Sequence, residues 1–108
     1  MTSTAQAESI SGGIMAAEKI IEQKLVRAVK LIGGLAPKFV SPGFDGVPDR
    51  IVLLPGAKLA FVEIKADGKK LQPLQVRRKR QLEALGFLVY CVSSAEQIGG
   101  VLDEIQSP

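Results

Sequence analysis

Asp49-Arg50-Ile51-Val52-Leu53-Leu54-Pro55-Gly56-Ala57-Lys58-Leu59-Ala60-Phe61-Val62-Glu63-Ile64-Lys65 holds two apolar runs on either side of a Pro-Gly turn. Ile51–Leu54 reads as a buried strand, Pro55–Lys58 as the turn and Leu59–Lys65 as the returning strand, so residues 50–65 form an antiparallel hairpin. Side chains alternate across a strand, which puts Glu63 and Lys65 on one face and Val62 and Ile64 on the other. A Glu and a Lys closing an apolar strand are out of pattern. A short turn carries Asp49 opposite Glu63 or one position from it. Three ionisable groups therefore meet at one end of the hairpin. Their convergence has two readings. In one, Glu63 and Lys65 pair on an ordinary surface and Asp49 caps the Pro48 turn. In the other, the two carboxylates share a hard divalent cation, which takes oxygen ligands and relieves their repulsion. Lys65 would then stabilise negative charge beside the ion or position water.

The sequence before the hairpin is helical. Ile14, Ala17, Ile21, Leu25, Ala28 and Ile32 recur at steps of three or four and make one apolar stripe, which Gly33-Gly34 ends. Glu18 and Glu22 flank that stripe, so either can reach a sheet edge that the helix covers; the alternative is a solvated pair beside Lys19 and Lys24. Residues 1–13, rich in Ser, Thr, Ala and Gly, read as a flexible leader to a single domain over residues 14–108. Lys38–Val40 is a short strand candidate, and the Pro and Gly of residues 41–48 make a loop.

After the hairpin, Pro73 opens a basic helix to about Leu85, with Leu74, Leu82 and Leu85 expected inward. Phe87–Val92 is another buried strand, on which Cys91 reads as a small core residue. Ser94 is an N-cap for a last helix over Ala95–Ile105. The order is helix, three strands, helix, strand, helix. A strand–helix–strand crossover from Leu59 to Val92 requires those two strands to be parallel. The fold class is therefore α/β, a mixed sheet flanked by helices.

Composition removes several chemistries. The 108 residues include no histidine and one cysteine, which excludes histidine triads, Cys/His zinc sites and an internal disulfide. No apolar run approaches the ~18 residues of a membrane span, and no signal-peptide layout opens the chain, so the expected compartment is the cytoplasm. The 14 basic and 11 acidic residues leave a net charge of +3. The basic residues cluster: Lys65, Lys69, Lys70, Arg77, Arg78, Lys79 and Arg80 stand against the single acid Asp67. That block suits a polyanion-binding surface or, more plainly, a solvated helix face. Few aromatics are present, so bound nucleic acid would be held through its phosphates rather than by base stacking.

Gly46-Val47-Pro48-Asp49-Arg50, the hairpin, Glu63-Ile64-Lys65 and Gln75 at the head of the basic helix together resemble the VRR-NUC (virus-type replication-repair nuclease) domain of the PD-(D/E)xK nuclease superfamily. The Lys38–Gly43 strand and loop and the preceding helical Glu belong to the same likeness, which runs from Glu18 to Ile105. The resemblance implies a restriction-endonuclease-like fold. It implies that Asp49, Glu63 and the main-chain carbonyl of Ile64 hold Mg²⁺ or Mn²⁺, and that Lys65 is the catalytic lysine and Gln75 the helix glutamine. The helical acid falls on Glu22 in preference to Glu18, because Glu22 lies about three turns before Gly33. Family members made of this domain alone are small phage or bacterial proteins, and the family context implies homodimers acting on branched DNA such as four-way junctions.

These readings combine into a metal-dependent, structure-selective DNA endonuclease, in which Lys38, Arg50, Lys69, Lys70, Arg77 and Arg78 hold phosphates. Two alternatives stand beside it: a non-catalytic nucleic-acid-binding module of the same fold, and a small α/β interaction protein with a solvated basic helix. Metal-dependent nicking separates the first from both others.

Overall fold

The computed structural model describes residues 2–108, with side chains from residue 13 onward. Its elements are α1 (Thr2–Leu31), β1 (Arg50–Leu54), β2 (Lys58–Ile64), α2 (Pro73–Ala84), β3 (Leu88–Val92) and α3 (Gln97–Gln106). They build an α/β fold on a sheet ordered β1-β2-β3, antiparallel between β1 and β2 and parallel between β2 and β3. Helix α1 runs back past Ile14 to Thr2. The helix thus covers residues 2–13, which the sequence reads as a leader; the side chains of residues 1–12 lie outside the described residues. No described helix is long and apolar enough to cross a membrane.

The expected strand at Lys38–Val40 is displaced and broken. Leu35 and Lys38 form isolated antiparallel bridges to Leu53 and Arg50. Between them Ile51 donates its N–H to the Pro37 carbonyl at 3.0 Å, and Pro37 has no N–H to return. A proline at this position leaves paired segments rather than a regular strand.

One face of the sheet carries the core. Val52, Leu54, Ala60, Val62, Ile64 and Val92 are buried against Ile21, Leu25 and Val29 of α1 and Ile98, Val101, Leu102 and Ile105 of α3. Each Val, Leu or Ile side chain among them contributes roughly 1.5–3 kcal/mol when fully buried. On the opposite face Phe61 sits between Phe39 and Phe87, with ring centroids 5.5 and 5.6 Å away. Helix α2 packs on this second face against β3.

Three local expectations change. Helix α2 has no buried residue, and Leu74 and Leu85, expected inward, are exposed. Five of its residues are charged, and its few apolar ones do not line up into a stripe that a sheet could bury. Cys91, read as core, is exposed; it lies on the α2 face of β3, an edge strand that α2 covers only in part. Helix α3 begins at Gln97 rather than Ala95, without a serine cap. Instead, the Gln97 side-chain oxygen accepts the Ser93 and Ser94 N–H groups at 2.7 and 3.3 Å.

The end of α1 sets how closely the helix meets the sheet. Gly33 (φ +87) adopts the left-handed conformation, its N–H bonds to the Lys30 carbonyl, and the Gly34 N–H reaches back to the Val29 carbonyl at 2.9 Å. Leu35 then enters the β1 pairing at once. A Cβ on Gly34 would collide with the Leu53 carbonyl oxygen and lie 2.7 Å from Leu54 Cδ2 and 2.9 Å from Val29 Cγ1. Because one of these neighbours is sheet backbone, the strain cannot be relieved by a rotamer change. Gly34→Ala should therefore destabilise the fold by about 1–3 kcal/mol, the usual cost of overpacking a core. Chemical denaturation checks this, and an unchanged midpoint would refute it.

Candidate active site

The hairpin turn occupies Pro55–Ala57, and the resulting register pairs Arg50 with Val62. One step further, Asp49 stands opposite Glu63, and a second step puts Pro48 opposite Ile64. Proline has no N–H, so the Ile64 carbonyl receives no ladder bond from that position. The Ile64 N–H, facing the same way, is taken by Asp49 Oδ2 at 2.8 Å. The Pro-Asp pair thus ends the backbone ladder, substitutes a carboxylate for it and leaves a main-chain oxygen of β2 without its strand partner.

Glu63 lies on the α2 face and is 5% exposed. Its Oε2 accepts a hydrogen bond from Gln75 Nε2 at 2.6 Å and lies 3.8 Å from Lys65 Nζ. Its Oε1 is buried with no hydrogen-bond partner. Burial is the largest cause of a pKa raised from 4.5 to about 7; the charge of Asp49 adds to the rise and that of Lys65 opposes it. A buried carboxylate with one orphaned oxygen, crowded by a second carboxylate, is a group waiting for a cation. The donor set fits a hard divalent ion: two carboxylates and a free main-chain oxygen. Among the described residues, no cluster of three or more His, Cys, Asp and Glu side chains forms a metal site.

Gln75 is held from both ends. It is the third residue of α2, and its Oε1 accepts the Gln72 N–H at 2.8 Å in a capping box while its Nε2 donates to Glu63. The start of the basic helix is in this way tied to the carboxylate.

The two helical acids go to different places. Glu22 Oε2 accepts from Arg50 Nε at 2.7 Å, and Arg50 Nη1 also donates to the Ala36 carbonyl at 2.9 Å. Arg50 shares the α1 face of the sheet with Val52, away from Glu63. Glu18 Oε2 instead accepts the N–H of Ala66, the residue after Lys65, at 2.8 Å. The fold therefore gathers Asp49, Glu63, Ile64, Lys65 and Gln75 at one sheet end, brings Glu18 to its margin and engages Glu22 with Arg50.

Of the basic residues expected to hold phosphates, Lys38, Lys69, Lys70 and Arg77 are exposed. Arg50 and Arg78 donate to protein groups, Arg78 Nε to the Asp45 carbonyl at 2.7 Å. Sequence reasoning passed over a second basic surface. A groove of about 550 Å³ is lined by Glu18, Lys19, Glu22, Gln23, Lys38 and Arg50. An adjoining one of about 380 Å³ is lined by Gln23, Val26, Arg27, Lys30 and Arg50. The signal was present as spacing: Lys19, Gln23, Arg27 and Lys30 fall on one face of α1.

The raised Glu63 pKa has a consequence for stability. The folded chain holds this proton up to about pH 7, whereas the unfolded chain releases it near 4.5. The folded state therefore binds more protons within that window, and metal-free stability falls as pH rises through it. Glu63→Gln should flatten that fall. Thermal melts in EDTA from pH 4 to 8 check it; parallel wild-type and Glu63→Gln curves would refute it.

No family model matches the chain. A phage protein named "Putative nuclease p44", from Acyrthosiphon pisum secondary endosymbiont phage 1, is 52% identical over 79 residues, covering 73% of this chain and 85% of the phage protein. A solved structure described as a VRR_NUC domain superposes with a TM-score of 0.76 at 28% identity, covering 81% of this chain and 95% of that one. With the Pro-Asp, Glu-Ile-Lys and helix-glutamine residues set as described, the homology and the shared fold establish that the chain belongs to the VRR-NUC family.

Proposed function

We propose that this chain is a Mg²⁺- or Mn²⁺-dependent endonuclease that hydrolyses phosphodiester bonds in DNA, with branched DNA such as four-way junctions as its preferred substrate. The observation that carries the reading is the buried Glu63 carboxylate with its orphaned Oε1, opposite Asp49 at the end of the hairpin and with Lys65 beside it. The relationship to the phage protein named as a nuclease supports the same chemistry.

Asp49, Glu63 and the Ile64 carbonyl would hold the ion. When bound, a divalent cation supplies Lewis-acid polarisation of a phosphate oxygen and makes water a competent nucleophile. The chain's own groups do the rest. Lys65 places a positive charge where negative charge accumulates on the pentavalent phosphate, an environment in which fixed charge is worth more than in water. Gln75 fixes the rotamer of Glu63. We assign the helical acid of the site to Glu18, whose hydrogen bond to Ala66 sets it at the strand end, and give Glu22 a structural ion pair with Arg50.

The DNA backbone would be held by Lys38, Lys69, Lys70 and Arg77 together with Lys19, Arg27 and Lys30 of α1. From Lys19 to Lys30 the helix rises ~16 Å at ~1.5 Å per residue. One such site cuts one strand at a time, so symmetric cutting of a branched molecule is simplest for a two-fold homodimer, which the family context implies. The place of action is the cytoplasm.

Incubation with junction, flap and linear duplex DNA in Mg²⁺, Mn²⁺ or EDTA tests the reading. Cleavage only with metal, strongest on branched DNA, is the expected result; binding without cleavage favours a non-catalytic module. Asp49→Ala and Glu63→Ala should abolish cleavage with the fold intact. Lys65→Ala should lower the rate about 10²–10³-fold, the range for removing one transition-state donor, with little change in DNA affinity. Retained wild-type rates in any of the three at limiting metal would remove that residue from the site. Light scattering should give twice the 11.5 kDa chain mass, and a fully active monomer would refute the dimer.

Charge variants of α1 give a separate outcome. Lys19→Gln, Arg27→Gln and Lys30→Gln should each weaken duplex binding and reduce the slope of log K against log salt by about 0.9. Unchanged slopes would clear α1 from the DNA path.

A further inference from the structure

The loop over residues 41–48 delivers Asp49, yet it has little to hold it. Among the described residues, the only backbone–backbone hydrogen bond between Val40 and Pro48 joins the Phe44 N–H to the Ser41 carbonyl at 3.1 Å. Gly43 and Gly46 both have positive φ, at +78 and +82. Such a segment has no ladder and no helix to set its position.

What holds it is Arg78. The guanidinium carbon lies 3.8 Å from the centroid of the Phe44 ring. Nε donates to the Asp45 carbonyl at 2.7 Å, and Nη1 donates to Gln81 Oε1 at 2.9 Å. Gln81 shares α2 with Arg78, so the fork is braced on its own helix while its edge and face grip two successive loop residues. At the next residue the loop backbone meets the first turn of α2: a Cβ on Gly46 would lie 2.7 Å from Leu74 Cγ and 3.0 Å from the Leu74 carbonyl oxygen. Gly46, Pro48, Glu63 and Gln75 line one small cavity. The loop is one wall of the chamber around Glu63, and α2 is another.

We propose that Arg78 is a positioning residue. It clamps the 41–48 loop onto α2 and so keeps the loop wall and the α2 wall of the chamber in fixed relation around Asp49 and Glu63, whose own pairing is set by the Ile64 hydrogen bond and the strand register. This rests on the nuclease reading. It separates Arg78 from the basic residues around it: Arg77 and Lys70 act on DNA through charge, whereas Arg78 acts through shape. A planar fork that bonds a carbonyl with one nitrogen, a side-chain amide with another and stacks on a ring has no lysine equivalent.

The experiment compares Arg78→Ala, Arg78→Lys and Phe44→Leu with wild type. It reads Mn²⁺ affinity by calorimetry without DNA, kcat at saturating DNA, and the salt slope of DNA binding. All three variants should weaken Mn²⁺ binding several-fold. They should also lower kcat about 10–100-fold, the scale on which small misplacements of reacting groups act. Their salt slopes should equal that of wild type. Phe44→Leu removes no charge, so it separates the clamp from any phosphate contact. It and Arg78→Lys also decide the matter if Arg78→Ala does not fold. The inference is overturned if Arg78→Lys restores wild-type kcat and Mn²⁺ affinity, or if Arg78→Ala reduces the salt slope by about 0.9 with kcat unchanged, which is the signature of a phosphate contact. A wild type that binds Mn²⁺ and cleaves, with variants indistinguishable from it, overturns this inference alone. A wild type that does neither overturns the nuclease reading and this inference with it.

Discussion

A single hydrogen bond organises the carboxylate end of this molecule: the Ile64 N–H to Asp49 Oδ2, at 2.8 Å. It sits where the β1–β2 ladder would continue if residue 48 were not proline. The substitution of a side-chain oxygen for a main-chain one does three things at once. It satisfies a buried donor that would otherwise be costly. It locks the Asp49 carboxylate against the end of β2, facing Glu63. It also leaves the Ile64 carbonyl without a donor from β1. A one-residue slip in the hairpin would turn Glu63 towards the aliphatic core and Ile64 towards α2, so the site depends on the register that the Pro55–Ala57 turn enforces.

The two faces of the sheet then carry separate duties. Helices α1 and α3 bury the aliphatic face and supply the stability. None of the residues of helix α2 is itself buried, and its role is positional: it presents Gln75 to Glu63 and Arg78 to the 41–48 loop. The carboxylate pair is maintained against its own repulsion by that scaffold. Burial and the Asp49 charge push the Glu63 pKa to about 7, and Lys65 pulls the other way. Such a pair of crowded carboxylates is what a cation would relieve.

Local reasoning failed where a residue's environment is made by something distant in sequence. Leu74 and Leu85 look inward on a helical wheel, but the apolar residues of α2 do not line up into a stripe that the second face of the sheet could bury. Cys91 has the neighbours of a core residue in sequence, and lies on the open side of an edge strand in space. Arg50, Arg77 and Arg78 are equivalent as charges; only the fold reveals that Arg77 is exposed while the other two are bound to Ala36, Glu22, Asp45 and Gln81.

The sequence by itself determined the hairpin, the parallel crossover from β2 to β3, and the meeting of Asp49, Glu63 and Lys65. These follow from strand alternation, a short turn and the handedness of the crossover, all of which are short-range rules; the exact register, with Asp49 opposite Glu63, came with the three-residue turn of the structure. Gln75 and the family were legible through a motif whose parts lie in those same elements. Tertiary structure alone decided that Glu18 rather than Glu22 reaches the strand after Lys65, that α1 lines a basic groove, and that Arg78 grips a loop. Each of these depends on the distance between elements that the chain joins through long connections. Helical periodicity places two glutamates one turn apart on the same face, and only the angle at which α1 crosses the sheet chooses between them.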